Sequence, residues 1–195
     1  TSRAFMNKAE LRSLYFEHRK AISGDEISKH SLGIRDRFFS SFDLSDVKYL
    51  NSYIPITKFN ELDTLPIIER VWADFPRVTT LAPKFNFDSG ELTSVKHHRD
   101  TILLHNRWSI LEPGTGDLVD PETIDLVIVP MLCCDRTGHR VGYGKGVYDR
   151  FLRRCRDDCK KIGLNVFEPV DRIDDVGEHD IALDHCITPE ALFSF

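Results

Sequence analysis

Residues 125 to 154, DLVIVPMLCCDRTGHRVGYGKGVYDRFLRR, run from a β-branched segment through a glycine-rich loop into a basic helical segment. Asp125 to Val129 is apolar on consecutive positions and closed by Pro130, the pattern of a central strand covered on both faces. Chemistry is therefore expected just past the end of that strand. Gly142, Gly144 and Gly146 alternate along the loop, so backbone N–H groups stand clear of side chains and an anion can approach the main chain. Arg140 and Lys145 add positive charge there. A helix is expected from Val147 to about Asp158, with Arg150, Arg153, Arg154 and Arg156 facing solvent, and the unpaired N–H groups of its first turn favour phosphate. Asp149 falls in that turn. A carboxylate there stabilises the helix by about 0.3–1 kcal/mol through the dipole alone; beside a phosphate cradle it is also suited to magnesium, which takes hard oxygen ligands and substrate phosphates. The loop is neither G-x-x-x-x-G-K-[ST] nor G-x-G-x-x-G, and a glycine-rich turn with no phosphate role fits the same residues.

Outward from that stretch, the chain has the size of one globular domain, residues 1–195, with 41% hydrophobic content. A formal net charge of -5 argues against nucleic acid as a partner but leaves room for a local basic patch. Five cysteines, at 133, 134, 155, 159 and 186, show no C-x-x-C spacing, which fits reduced thiols better than a disulfide framework or a zinc site. No apolar run reaches membrane-span length and the first twenty residues lack a signal-peptide core. The expectation is a cytoplasmic protein without a membrane partner.

Arg3 to Ile22 reads as a helix with Leu11, Leu14, Tyr15, His18 and Ile22 on its apolar face. Lys8, Arg12 and Arg19 form a stripe within about 40° of one another beside that face, placed either to reach a cleft or simply to be solvated. Gly24 to Phe42 is a second amphipathic helix, with Ile27, Leu32, Ile34, Phe38 and Phe39 supplying packing. Val47 to Ile54 is a strand, and Asp63 to about Phe75 a helix for which Asp63 or Thr64 suits the N-cap. Between them Glu61 stands at the carboxyl end of a strand, the rim where open α/β sheets bind ligands; a solvent-facing loop acid is the other reading. Val78 to Ala82 is a short strand. Glu91 to Val95 and Thr101 to Leu104 suit a hairpin with His97, His98 and Arg99 at its turn, where adjacent histidines pointing to opposite faces make a weak metal pair. Lys161 to Phe167 is a further strand. The fold class is thus α/β, a central mixed sheet flanked by helices with a glycine-rich loop before a helix.

Val129-Pro130, Asp135 and the run Arg140-Val141-Gly142-Tyr143-Gly144-Lys145-Gly146-Val147-Tyr148-Asp149-Arg150-Phe151-Leu152 resemble the signature of the 5-formyltetrahydrofolate cyclo-ligase family, also called methenyltetrahydrofolate synthetases. Lys8-Ala9-Glu10-Leu11-Arg12 resembles its N-terminal K-x-x-L-R element, Glu61-Leu62-Asp63-Thr64 its E-x-D-T element, and Arg107 to Pro113 its stretch leading to E-P. The segment from Glu178 to Asp184 resembles its closing E-x-D-x-x-x-D element. The resemblance implies ATP- and magnesium-dependent closure of 5-formyltetrahydrofolate, polyglutamylated or not, to 5,10-methenyltetrahydrofolate with release of ADP and phosphate, by a monomer. It implies Lys145 and Arg140 as catalytic residues. It implies ATP contacts from Lys8, Arg12, Arg140 and residues Gly142, Tyr143, Gly144, Lys145, Gly146, Val147 and Tyr148, and folate contacts from Ile56, Glu61, Trp108 and the loop from Tyr143 to Val147. Asp149 and Asp184 are the implied magnesium ligands. A carboxylate at 61 suits the donor edge of a pterin, which it can engage bidentately, and Trp108 fits either the pterin wall or the core. Val147 stands where the family usually has an aromatic, Cys133-Cys134 replace small and aromatic residues, and His185 follows Asp184 where an acid is common. A non-catalytic nucleotide-binding relative and a sugar-phosphate isomerase-like enzyme with a similar sheet share parts of this pattern.

Overall fold

The computed structural model describes residues 6–195. Its helices are α1 (Lys8–Lys20), α2 (Gly24–Ser41), α3 (Leu65–Asp74) and α4 (Val147–Leu152). The strands are β1 (Tyr49–Ser52), β2 (Thr79–Asn86), β3 (Glu91–Lys96), β4 (Leu103–His105), β5 (Leu111–Pro113), β6 (Leu118–Val119), β7 (Leu126–Val129), β8 (Cys133–Cys134), β9 (Arg140–Val141), β10 (Lys160–Leu164), β11 (His185–Ile187) and β12 (Leu192–Ser194). An eight-stranded mixed sheet runs in the order β12-β11-β10-β7-β1-β2-β3-β6. Its inner strands β11, β10, β7, β1 and β2 are parallel, and antiparallel strands close both sides. The mixed α/β class read from the sequence is the one observed.

All four residues of β7 are buried. Leu126 and Ile128 face a core with Ile34, Phe38, Ile67 and Val71 of α2 and α3, while Val127 and Val129 face a second core with Leu81, Phe151 and Leu152. Burial on both faces is why the strand reads as an unbroken apolar run. From β1 the chain passes to β2 on one side and later returns to β7 on the other. The order thus reverses between β1 and β7, and a crevice opens beyond their carboxyl ends.

Several expected boundaries move, each for a local reason. Arg3 to Phe5, the start of the expected first helix, lie outside the described residues; Met6 forms a bridge with Ile173, and Asn7 closes a capping box with Glu10, so α1 begins at Lys8. Its buried face is not the expected one. Leu11 packs with Cys133, Val141 and Ile173 while Tyr15 lies against that cluster, and this turns Arg19 inward and leaves Leu14 and His18 exposed. Leu32 of α2 is exposed as well. β1 starts late because the N–H groups of Lys48 and Tyr49 are held by the Asp125 carboxylate at 2.7 and 2.8 Å. Thr64 takes the N-cap position of α3 without capping it, since its hydroxyl donates to the Tyr53 carbonyl; the Asp63 carboxylate receives the Leu65 N–H.

The expected pairing of residues 91–95 with 101–104 does not form. β3 folds back on β2 across a turn whose Gly90 has φ +73°, and β4 pairs with β5 in a separate ribbon. The helix expected over 147–158 stops at Leu152, where bonds from Arg154 and Cys155 to carbonyls three residues back tighten the turn and bury Cys155. Its four arginines are exposed as expected. β10 ends at Leu164 rather than Phe167, and β11 and β12 were not anticipated. All five cysteines are free and buried. Among the described residues, no helix is long and apolar enough to cross a membrane.

Candidate functional site

A cavity of about 750 Å³ lies beyond the carboxyl ends of β1 and β7, where Tyr53, Ile54 and Pro130 line it. It has two chemically distinct ends. Lys8, Arg12, Lys145, Asp149 and Asp180 line one, around the glycine-rich loop. Glu61, Ile56, Phe85, Trp108 and Tyr148 line the other.

The loop hands the chain from β9 to α4. Gly144 has φ +88°, and a Cβ there would stand 3.1 Å from the Arg12 guanidinium carbon, so only glycine lets the loop rest on Arg12. Arg12 Nε also donates to the Gly142 carbonyl at 2.9 Å, leaving its other N–H groups for a ligand. A Cβ at Gly142 would meet nothing within 4 Å, so glycine there leaves open space in the cavity. Because α4 has only six residues and its N-cap, Gly146, is left-handed at φ +60°, the helix dipole expected from the sequence is small. Attraction for an anion at this end rests on the side-chain cations.

Arg140 is 8% exposed. Its Nη2 donates to Asp149 Oδ1 at 2.8 Å and its Nη1 to the Ile181 carbonyl at 2.5 Å, while the Ile181 N–H donates to Asp149 Oδ1 at 3.0 Å. Burial lowers the Arg140 pKa against the pull of Asp149. Two arms of Arg140 are thus spent on fixing Asp149 and the segment around Ile181. Lys8 Nζ pairs with Asp180 Oδ2. Burial works to raise the Asp180 carboxyl, but Lys8 and the Gly177 N–H outweigh it and hold the group below the usual carboxylate range.

Asp184 is not brought to this end. Its Oδ2 receives the Lys161 N–H at 2.7 Å and lies 3.1 Å from Lys161 Nζ, fastening the start of β11 to β10. The cavity acid from the same E-x-D-x-x-x-D element is Asp180, one residue from the Ile181 backbone that Asp149 binds. Both positions are acids in one short motif, so residue type alone did not separate them; the signal available was that Asp184 adjoins a strand. No trio of His, Cys, Asp or Glu among the described residues is arranged as a metal cage. Two hard carboxylates beside an anion site suit magnesium, which keeps waters and shares substrate phosphates.

At the other end Glu61 is 5% exposed. Its Oε2 accepts from the Ile56 N–H at 2.6 Å and its Oε1 from the Tyr143 hydroxyl at 2.5 Å. Burial is the largest influence and raises the Glu61 carboxyl, with Tyr143, Ile56 and Arg19 pulling the other way. Burial also pushes the Tyr143 phenol up, so it stays protonated. Trp108 is clustered with Phe85 and Phe87, ring centroids 4.4 and 4.8 Å away, and lines the cavity. Lys145 Nζ sits 3.6 Å from the centre of the Trp108 ring, bridging the two ends. Val147 lines the cavity and packs against the core below.

Of the catalytic, ATP, folate and magnesium residues that the resemblance implied, all but Asp184 border this cavity. Sequence reasoning gave Asp180 no role of its own, and it left Arg19, in the stripe with Lys8 and Arg12, either reaching a cleft or solvated. Arg19 is buried, with its guanidinium against the Tyr143 phenol.

A model of the 5-formyltetrahydrofolate cyclo-ligase family matches residues 4–189. The chain is 32% identical over 139 residues to a 5-formyltetrahydrofolate cyclo-ligase of Escherichia coli (strain K12), covering 69% of this chain and 75% of the relative. It is 25% identical over 191 residues to one of Mus musculus, covering 92% of each. The solved structure of Aquifex aeolicus 5,10-methenyltetrahydrofolate synthetase superposes with a TM-score of 0.81 at 28% identity, covering 96% of this chain and 92% of that one.

Proposed function

The chain belongs to the 5-formyltetrahydrofolate cyclo-ligase family, and from that premise we propose how its cavity converts 5-formyltetrahydrofolate to 5,10-methenyltetrahydrofolate. The formyl oxygen of an amide is a poor leaving group. The γ-phosphoryl of ATP is placed on that oxygen, N10 attacks the activated carbon and loses its proton, and phosphate departs as the ring closes, with ADP as the other product. The protein contributes positioning and charge neutralisation, as in other phosphoryl transfers.

One observation carries this reading: a single cavity joins a cation-rich glycine loop to a buried carboxylate, with Lys145 between them. Lys8, Arg12 and the loop from Gly142 to Gly146 hold the nucleotide phosphates, and Arg140 sets Asp149. Asp149 and Asp180 would hold magnesium, which when bound would neutralise phosphate charge. Glu61 takes the donor edge of the pterin, with Ile56, Tyr148 and Trp108 around the ring. Lys145 stands where the phosphoryl passes from one ligand to the other. Lys8 exchanges Asp180 for phosphate as the ligands arrive.

The test is the near-ultraviolet absorbance of methenyltetrahydrofolate when purified protein meets 5-formyltetrahydrofolate. A rise that requires both ATP and magnesium is expected; a rise that persists without either one overturns the phosphorylation step.

A further inference from the structure

We propose that Arg19 is a positioning residue for folate recognition: its guanidinium holds the Tyr143 phenol so that the phenol proton is given to Glu61, which keeps that carboxylate ionised and aimed into the cavity. The proposal rests on the assignment of Glu61 to the pterin.

Arg19 lies on α1, eight residues after Leu11 and four after Tyr15, on the side of the helix that packs inward, and it is 4% exposed. Such burial is uncommon for arginine and demands partners. Its Nε donates to the Phe59 carbonyl at 2.9 Å, its Nη1 to the Met131 carbonyl at 3.0 Å, and its Nη2 to the Tyr143 phenol oxygen. These three partners are uncharged oxygens from three separate segments. The fork is therefore fixed in place, and among the described residues its charge has no contacting carboxylate. The nearest use for that charge is Glu61, one residue further along the chain of bonds.

Directionality follows from the donor inventory. Arginine has donors only, so at the phenol oxygen Tyr143 must accept. The single phenol proton is then free for the Glu61 Oε1 contact at 2.5 Å. A cation on the phenol oxygen draws electron density from the O–H and strengthens it as a donor. With Oε2 held by the Ile56 N–H, both carboxylate oxygens are oriented, and each keeps lone-pair capacity for a ligand's donor edge.

The groups facing Glu61 are Arg19 from α1, Tyr53 after β1, Tyr143 in the loop and Tyr148 from α4. All three phenols are raised by burial and stay neutral, so Arg19 is the charged member of the set. Behind the carboxylate, a second cavity of about 10 Å³ lies among Arg19, Tyr53, Glu61 and Asn165. It has room for about one water, so on that side little solvent stands between the guanidinium and the carboxylate.

The experiment compares wild type with Tyr143→Phe, Arg19→Met, the double variant and Glu61→Gln, measuring kcat and the folate KM from mildly acid to mildly alkaline pH. Thermal melting and circular dichroism establish which variants fold. Losing either member of the relay removes an influence that favours the charged carboxylate, so the acid limb of kcat/KM for folate moves to higher pH. The expected displacement is about half a pH unit or more in each single variant, equivalent to about threefold in proton concentration. The double variant moves less than the sum of the singles, because both act through one bond. A residue that merely props the fold would leave that limb in place. Folded Tyr143→Phe with an unmoved limb overturns the proposal, and decides alone should Arg19→Met fail to fold. An unchanged folate KM in Glu61→Gln overturns instead the assignment of Glu61 on which the proposal stands.

Discussion

At the loop end of the cavity, Lys8 and Asp180 hold each other through a pair in which both side chains are about one-fifth exposed, while Lys145 rests on an aromatic face. At the Glu61 end, by contrast, the carboxylate, the phenol and the guanidinium are fastened in series to the backbone of two segments, the turn from Ile56 to Phe59 and the stretch at Met131. On the proposed function the first arrangement exchanges partners when phosphates and a metal arrive, because a partly exposed ion pair is held less firmly than a buried network. The second does not exchange. Breaking one buried partner there leaves a polar group without compensation. On that reading one end is rearranged by its ligand and the other receives its ligand unchanged.

The largest expected effect is at the exchanging end. Lys145→Ala should lower turnover by on the order of a hundredfold or more, the scale seen when one preorganised stabiliser of transition-state charge is removed. Steady-state kcat measured by methenyltetrahydrofolate absorbance checks this. Unchanged turnover would show that Lys145 only rests on Trp108.

Glu61→Gln sharpens the contrast from the other side. An amide replaces one acceptor oxygen with a donor, which opposes a pterin donor edge and also faces the Tyr143 hydroxyl. The folate KM should rise by about tenfold to a hundredfold, corresponding to a lost charge-assisted bond of about 1.5–3 kcal/mol, while the ATP KM changes little. A fall in ATP affinity with folate affinity intact would mean that the two ends have been assigned the wrong way round.

Asp180→Asn and Asp184→Asn separate two acids of one motif. The magnesium concentration for half-maximal rate should rise at least about tenfold for Asp180→Asn, by analogy with the loss of supporting groups around metal ligands. For Asp184→Asn it should hold, with a loss of stability of about 1–2 kcal/mol from the weakened Lys161 contacts, read by thermal or urea unfolding. The opposite result would return the metal to Asp184 and require the 178–184 segment to repack on ligand binding.

How far the sequence disclosed these ends follows the same contrast. The glycine pattern of the loop was readable because a left-handed backbone position favours glycine whatever it rests on, and Gly144, at φ +88° against Arg12, is such a position. β7 was readable because burial on both faces leaves a continuous apolar run. Arg19 was not, since a helical stripe gives an angle but not the packing direction, and the inward turn of α1 was decided by Leu11 and Tyr15 meeting β8 and β9. The pairing of β3 with β2 rather than with residues 101–104 likewise depended on a turn whose competitor looked equally polar. Asp180 and Asp184 share a residue type and differ in what flanks them, Asp184 adjoining β11, and in what lies opposite them across the fold.

The smallest effect tests the boundary between the two ends. Trp108 belongs to both, meeting Phe85 at a tilt and Phe87 edge to face and also carrying Lys145. Trp108→Leu keeps an apolar side chain but removes the extended ring. The aromatic contribution beyond area is about 0.5–1.5 kcal/mol, so the folate KM should rise by roughly threefold to tenfold. Because Lys145 also loses a cation–π contact of about 0.5–1 kcal/mol, its ammonium becomes less well placed, and kcat should fall by a smaller factor. If the ATP KM rises and the folate KM does not, the indole serves the loop alone and the division of the cavity at Lys145 is misplaced. If both KM values hold while the melting temperature drops, the three-ring cluster is core, and the pterin wall must be sought at Tyr148 and Ile56 instead.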